Sequence, residues 1–200
     1  MIHVACLQGS EEWQDARLGI PTASQFHRIL TPKTLKPSKQ ARGYLHELLA
    51  ERLLGEPLDA ASGGFMERGT ILESEAAGWY ALQSGKAVTE CGFCLLDDRS
   101  AGASPDRLVG DDGLLEIKCY APAHHVAALL GDADDAHRLQ IQGQLLVTGR
   151  AWCDLLFYHP SMPPKVVRHE ADYELWQKLD NALRVFCAEL ALAWERLEAR

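Results

Sequence analysis

The segment Ser104 to Tyr120, SPDRLVGDDGLLEIKCY, constrains the fold more than any other stretch. Arg107-Leu-Val and Leu114-Leu-Glu-Ile-Lys-Cys read as short buried strands, and Gly110-Asp-Asp-Gly113 between them reads as a turn. Yet the segment also carries Asp106, Glu116 and Lys118. Charged groups are seldom set beside an apolar core without a partner. These three therefore either pair with one another for structure or hold a metal ion.

Side chains on a strand alternate between faces. Glu116 and Lys118 then share a face, and Ile117 points the other way. With the turn at Asp111-Asp112, opposed positions sum to about 223, so Asp106 falls roughly opposite Ile117. An offset of one residue, or a bulge, brings all three charges to one face. Two carboxylates with an ammonium beside them make a hard oxygen site, the kind that suits Mg²⁺. The Ile117 carbonyl offers a third oxygen. One such ion, or two about 4 Å apart, would activate water and offset charge in phosphodiester hydrolysis. Lys118 would orient that water or bind a non-bridging phosphate oxygen. Glu73, on the helix ahead of the hairpin, completes the set, whereas Glu75 is expected to face solvent. A structural role also fits: Lys118 neutralises Glu116, and Asp106 caps a turn.

Around this hairpin the periodicities give an order of elements. Helices are expected from Glu11 to about Leu18, after Thr22, over Tyr44–Leu54 with Leu45, Leu48, Leu49, Leu53 and Leu54 on one stripe, and over Met66–Ser84. Thr31–Lys39, with two prolines, reads as a loop. Short segments from Gly92 to Cys119 read as an antiparallel meander. A helix over His137–Val147, a strand over Ala151–His159 and a long helix over Asp172–Arg200 follow. This predicts an α/β fold, a small mixed central sheet flanked by helices, in one domain over residues 1–200.

The net charge of −8 argues against a nucleic-acid partner until its distribution is read. From Ala16 to His46 there is no acid, but there are six bases: Arg17, Arg28, Lys33, Lys36, Lys39 and Arg42. That segregation suggests a cationic patch on an acidic body, and a phosphate-bearing partner suits it. A solvated loop fits too. No run approaches the roughly 18 apolar residues of a membrane span, and the first residues lack the pattern of a secretory signal. Cytoplasm is the expected compartment. The six cysteines are expected to be buried thiols. Cys91-Gly-Phe-Cys94 has the spacing of half a zinc site, without a second half of matching spacing.

Pro105-Asp106 followed by Glu116-Ile117-Lys118 resembles the PD-(D/E)XK nuclease motif. More of the chain, from Trp13 to roughly Ala191, resembles one branch, the phage-type alkaline exonucleases with lambda exonuclease and the YqaJ-like viral recombinases. The matching stretches are Trp13-Gln-Asp-Ala-Arg17-Leu-Gly19-Ile-Pro-Thr22-Ala-Ser24, Met66-Glu-Arg-Gly69-Thr-Ile-Leu-Glu73-Ser-Glu-Ala76, Leu139-Gln140-Ile-Gln142-Gly-Gln144-Leu, and Ala151-Trp152 to Pro160. The resemblance implies a restriction-endonuclease-like core. It implies Mg²⁺, one ion or two, and degradation of one strand of linear duplex DNA from its 5′ end to mononucleotides; whether Mn²⁺ substitutes is left open by the sequence. It also implies a homotrimeric ring around DNA, phage-type recombination in a bacterial host, and a single-strand annealing protein as partner.

Carried over by residue, the resemblance implies that Asp106, Glu116 and the Ile117 carbonyl ligate metal. Lys118 serves the attacking water, Glu73 supports the metal, and Gln140 lies beside the site. Arg17, Ser24 and Ser104 would hold the terminal 5′-phosphate; an Arg with hydroxyls suits that charge and geometry. Arg17 could instead pair with Asp15 or Glu12, Ser24 could be a helix cap, and Gln140 a core amide. Met66 would be an apolar wedge splitting the terminal base pair, or a helix-packing residue. The chain departs from the pattern in two places. No acid stands at the family's spacing upstream of Pro105, although Asp97 and Asp98 are near. Ala121–Gly131 has no Lys or Arg where the family contacts DNA, only His124 or His125. Two other functions fit the same residues: a structure- or sequence-specific endonuclease, or a DNA-binding subunit with an inactive site.

Overall fold

The computed structural model describes residues 1–58 and 63–199, the side chains of 63–70 excepted. The chain opens with a short strand β1 (Ile2–Val4) and helix α1 (Glu11–Arg17). Ser10 starts α1 by accepting the Trp13 N–H, one of the donors a helix start leaves unpaired. A 3-10 helix (Ala23–Arg28) and helices α2 (Ala41–Leu54) and α3 (Gly63–Ser84) follow. Then come strands β2 (Val88–Glu90), β3 (Phe93–Leu95), β4 (Gly102–Ala103), β5 (Arg107–Val109) and β6 (Gly113–Lys118). Helices α4 (Pro122–Leu130) and α5 (Arg138–Thr148) cross to strand β7 (Trp152–Phe157). Strand β8 (Lys165–Glu170) and the long helix α6 (Tyr173–Glu198) complete the fold. No described helix is long and apolar enough to cross a membrane.

The central sheet has the order β2-β5-β6-β7-β8, with β6 and β7 parallel and the other pairs antiparallel. A parallel pair needs a long crossover, and α4 with α5 supplies it. Strand β6 is buried on both faces. Leu115 and Ile117 pack with Ala76, Ala77 and Tyr80 of α3. Leu114 packs with Ile141 and Leu145 of α5 and with Ala128 of α4. A third apolar cluster joins the 3-10 helix, α2 and α6, with Leu179, Leu183, Phe186 and Leu190 along the α6 stripe.

The expected meander is instead divided between two sheets. Strand β3 pairs with β4 on one side and with β1 on the other, whereas β2 pairs with β5. Strands β1, β2 and β8 and helix α4 lie outside the expected elements; β1 and β2 have three residues each, too few to show a period. In α2 only part of the apolar stripe is inward: Leu45, Leu48 and Leu49 are buried, while Leu53 and Leu54 are exposed.

Candidate active site

The β5–β6 hairpin decides the site by its register. Arg107 opposes Leu115 and Val109 opposes Gly113, so opposed positions sum to 222. This is the one-residue offset that carries Asp106 to the position opposite Glu116, on the same face. Gly110 makes the turn possible with a left-handed backbone, φ +54°. Continuing the register puts Pro105 opposite Ile117, and proline has no N–H to give. The ladder therefore stops there. The Asp106 carboxylate replaces it, accepting the Ile117 N–H through Oδ2 at 2.6 Å. The Ile117 carbonyl points to the same edge as its N–H, and Pro105 cannot bond it.

Glu116 is 2% exposed and lies on the α5 side of the sheet. Lys118 Nζ and Gln140 Nε2 both donate to its Oε1, each at 2.6 Å. Gln144 Nε2 donates to Oε2 at 2.6 Å. Gln140 and Gln144 lie one helical turn apart, on one face of α5. Gln142 faces away: its Oε1 accepts from the Asp172 N–H and the Trp176 indole, and it serves the core. Gln144 lies in the same sequence motif as Gln140 but is not among the residues that the resemblance places at the site; its spacing of one helical turn from Gln140 is the signal that points to it.

Charge accumulates here. Burial, then the neighbouring Glu116 and Glu73, hold the Asp106 carboxyl well above the usual carboxylate range. Among the described residues nothing donates to Asp106 Oδ1. Burial draws Lys118 down, but Glu116 and Asp106 outweigh it and leave its pKa raised. Lys118 thus acts as a donor of hydrogen bonds rather than an acceptor of protons. Glu73 approaches from α3, on the opposite face of the sheet, and its Oε1 is held by Arg107 at 2.6 Å. Glu75 is exposed, as expected, but also accepts the Tyr158 hydroxyl.

The donors fit a hard divalent cation. Carboxylates gather here with the Ile117 carbonyl beside them, and a cation would offset both the burial and the neighbouring negative charge that raise Asp106. Asp106, Glu116 and the Ile117 carbonyl are the groups that would hold it, with Glu73 at the margin.

Next to this cluster is a small cavity of about 100 Å³, lined by Arg17, Ser24 and Ser104 and also by Gln8, Thr22, Gln140 and Gln144. The two amides that touch Glu116 therefore form one wall of it. Arg17 lies over the Trp13 ring, 4.1 Å from its centroid, and the Trp13 indole donates to Ser104 Oγ at 2.8 Å. Arg17 has no ion pair among the described residues, so neither Asp15 nor Glu12 takes it. Burial pulls its guanidinium down. Ser24 is not the cap of the 3-10 helix; Thr22 stands at that position, and its hydroxyl is 3.4 Å from Ser24 Oγ.

Four bases of the acid-free stretch, Lys33, Lys36, Lys39 and Arg42, are exposed. Arg28 is bound at both nitrogens by Glu47. After Lys118, His124 is exposed, but His125 is fully buried against the Pro163 carbonyl and offers nothing to a partner. Asp98 accepts from Ser100 within its own turn, and Asp97 is exposed. The Met66 side chain lies outside the described residues.

Residues 12–151 match the YqaJ-like viral recombinase domain. The chain belongs to that family, the phage-type alkaline exonucleases. With this membership comes the class of enzyme, a nuclease. The crystal structure of an alkaline exonuclease (LHK-Exo) from Laribacter hongkongensis is similar to this YqaJ-like chain over 95% of its length and 97% of the relative's, with 34% identity and a TM-score of 0.84. LHK-Exo in complex with dAMP is similar over the same shares, at 36% identity and a TM-score of 0.83. A phage related exonuclease from Haemophilus somnus 129PT shares the fold, with 15% identity and a TM-score of 0.70 over 89% of this chain and 96% of that one. No curated protein matches.

Proposed function

We propose that this YqaJ-like nuclease is a Mg²⁺-dependent exonuclease. It removes mononucleotides from the 5′ strand of linear double-stranded DNA, and so prepares single strands for an annealing protein in phage-type recombination. One observation carries the reading: the cavity with Arg17, Ser24 and Ser104 shares Gln140 and Gln144 with the carboxylate cluster. A terminal phosphate held by Arg17 and the two hydroxyls would leave the first phosphodiester close to Asp106 and Glu116. A pocket of that size and charge suits an end, not the middle of a duplex. The relative's complex with dAMP is in keeping with a mononucleotide product.

A divalent cation at Asp106, Glu116 and the Ile117 carbonyl would supply Lewis-acid charge and an activated water. The chain's own groups do the rest. Gln140 and Gln144 fix Glu116 by two hydrogen bonds, so its oxygens do not rotate away. Lys118 is held beside Glu116 and offers its remaining N–H groups to water or to a non-bridging phosphate oxygen. Arg17, stacked on Trp13, presents its edge to the terminal phosphate. The exposed bases from Lys33 to Arg42 would attract the duplex. A homotrimeric ring in the host cytoplasm, holding the enzyme on DNA by topology, completes the proposal; Mn²⁺ would replace Mg²⁺.

Digestion of 5′-phosphorylated linear duplex in Mg²⁺ should release mononucleotides and leave closed circular DNA whole. Chelator and Lys118→Ala should each stop release, the variant while still binding DNA. Cleavage of the circle would favour an endonuclease, and function surviving Lys118→Ala would favour a binding subunit.

A further inference from the structure

Cys91-Gly-Phe-Cys94 has no part in the nuclease site, and its spacing lacked a second half. The fold supplies a third ligand. Strand β1 pairs with β3 in a register that sets His3 opposite Cys94. The ligand atoms of His3, Cys91 and Cys94 all lie within 4.8 Å of one another. The two sulfurs are 3.6 Å apart, and both thiols are free. Two thiolates on one tetrahedral Zn²⁺, each at about 2.3 Å, would stand roughly 3.8 Å apart.

The surroundings suit a bound ion. Cys91 and Cys94 are buried, while His3 is exposed and its ring has no hydrogen bond among the described residues. His3 is therefore able to turn toward the sulfurs. Gly92, between the cysteines, is pressed against the chain leaving β1: a Cβ there would meet the Val4 carbonyl oxygen at 2.3 Å and the Cys6 carbonyl oxygen at 2.7 Å.

We propose that His3, Cys91 and Cys94 bind one Zn²⁺, with water in the fourth position. Sulfur and imidazole donors select Zn²⁺ over the hard Mg²⁺. Binding displaces the two thiol protons into solvent, so affinity rises with pH. The ion ties β1 to β3. Gln8 Nε2 then links the Cys91 carbonyl, at 2.7 Å, to the Pro105 carbonyl, at 2.8 Å. The site thereby stiffens the segment that delivers Ser104 and Asp106. This inference does not depend on the strand polarity proposed above.

The test uses the full chain, reduced and stripped with chelator. Zn²⁺ is titrated against a chromophoric competitor, and Co²⁺ is followed by absorbance. Wild type should take up one tight equivalent of Zn²⁺ and show a thiolate-to-cobalt charge-transfer band. His3→Ala, at an exposed position that leaves the core intact, should weaken binding at least about tenfold. Cys94→Ser should abolish the band. Asp106→Asn should leave the tight equivalent unchanged. Absence of the band in wild type overturns the proposal. So does a band indifferent to His3→Ala and Cys94→Ser, or loss of the tight equivalent in Asp106→Asn.

Discussion

Two buried carboxylates sit on neighbouring parallel strands, each with three hydrogen-bond donors, and differ in the charge around them. Leu115 of β6 is in register with Asp154 of β7, and Glu116 with Leu155, so Glu116 and Asp154 face opposite sides of the sheet. Asp154, 4% exposed, is closed off by opposite charge. Arg168, directly across on β8, binds both of its oxygens, and the Tyr80 hydroxyl adds a third bond at 2.5 Å. Burial and the Asp154 charge push the Tyr80 hydroxyl up, so it stays a donor. Glu116 also has three donors, but its neighbours include a second carboxylate, Asp106, with a third, Glu73, at the margin. A charge that serves the fold is neutralised where it lies. A charge that serves a reaction is left in surplus, at an edge where a cavity opens.

Four measurements would break or sharpen that comparison. Asp106→Asn should reduce nuclease activity by about 10³-fold or more, the scale of losing a group from a preorganised charge-stabilising site. Its melting temperature should not fall, because a like charge has been removed; a clear destabilisation would count against the surplus. Arg168→Ala should do the reverse. It leaves Asp154 buried beside only Tyr80 and should cost about 3 kcal/mol in denaturant unfolding, the low end for a broken buried pair because Arg168 is partly exposed. Activity per folded molecule should be unchanged. Arg17→Ala should narrow the preference for 5′-phosphate over 5′-hydroxyl ends by about 10–100-fold, as expected from a hydrogen bond of roughly 1.5–3 kcal/mol to a charged group. If the preference is intact, the cavity does not hold the phosphate.

The smallest effect concerns pH. The folded state raises Asp106, so between the ordinary carboxylate value near 4 and the raised one the folded chain binds more protons than the unfolded. Stability of the metal-free protein should therefore fall as pH rises through that window. Asp106→Asn should remove this part of the slope, read as the difference between two melting curves in chelator. Parallel curves would show that Asp106 is not raised.

Much of this site was legible because strands alternate and helices repeat. Glu116 and Lys118 two residues apart on a strand had to share a face; Gln140 entered through the family resemblance, not through a period. The hairpin register was not legible: sums of 222 and 223 differ by one residue, and the break in the ladder depends on Pro105 meeting Ile117. Arg107 was missed because the Glu73 it holds comes from a helix far off in sequence. Strand β1 was missed because three residues carry no period, and with it went the neighbour of Cys94.

By itself the sequence determined which residue types could do chemistry and on which kind of element each would lie, because local geometry follows from spacing along the chain. Only the tertiary structure decided which of them meet. It brought α5 over one face of β6 and α3 over the other, put Asp106 opposite Glu116, and set the Arg17 cavity against both amides. Those encounters depend on register and packing between segments distant in sequence, which spacing along one chain cannot encode.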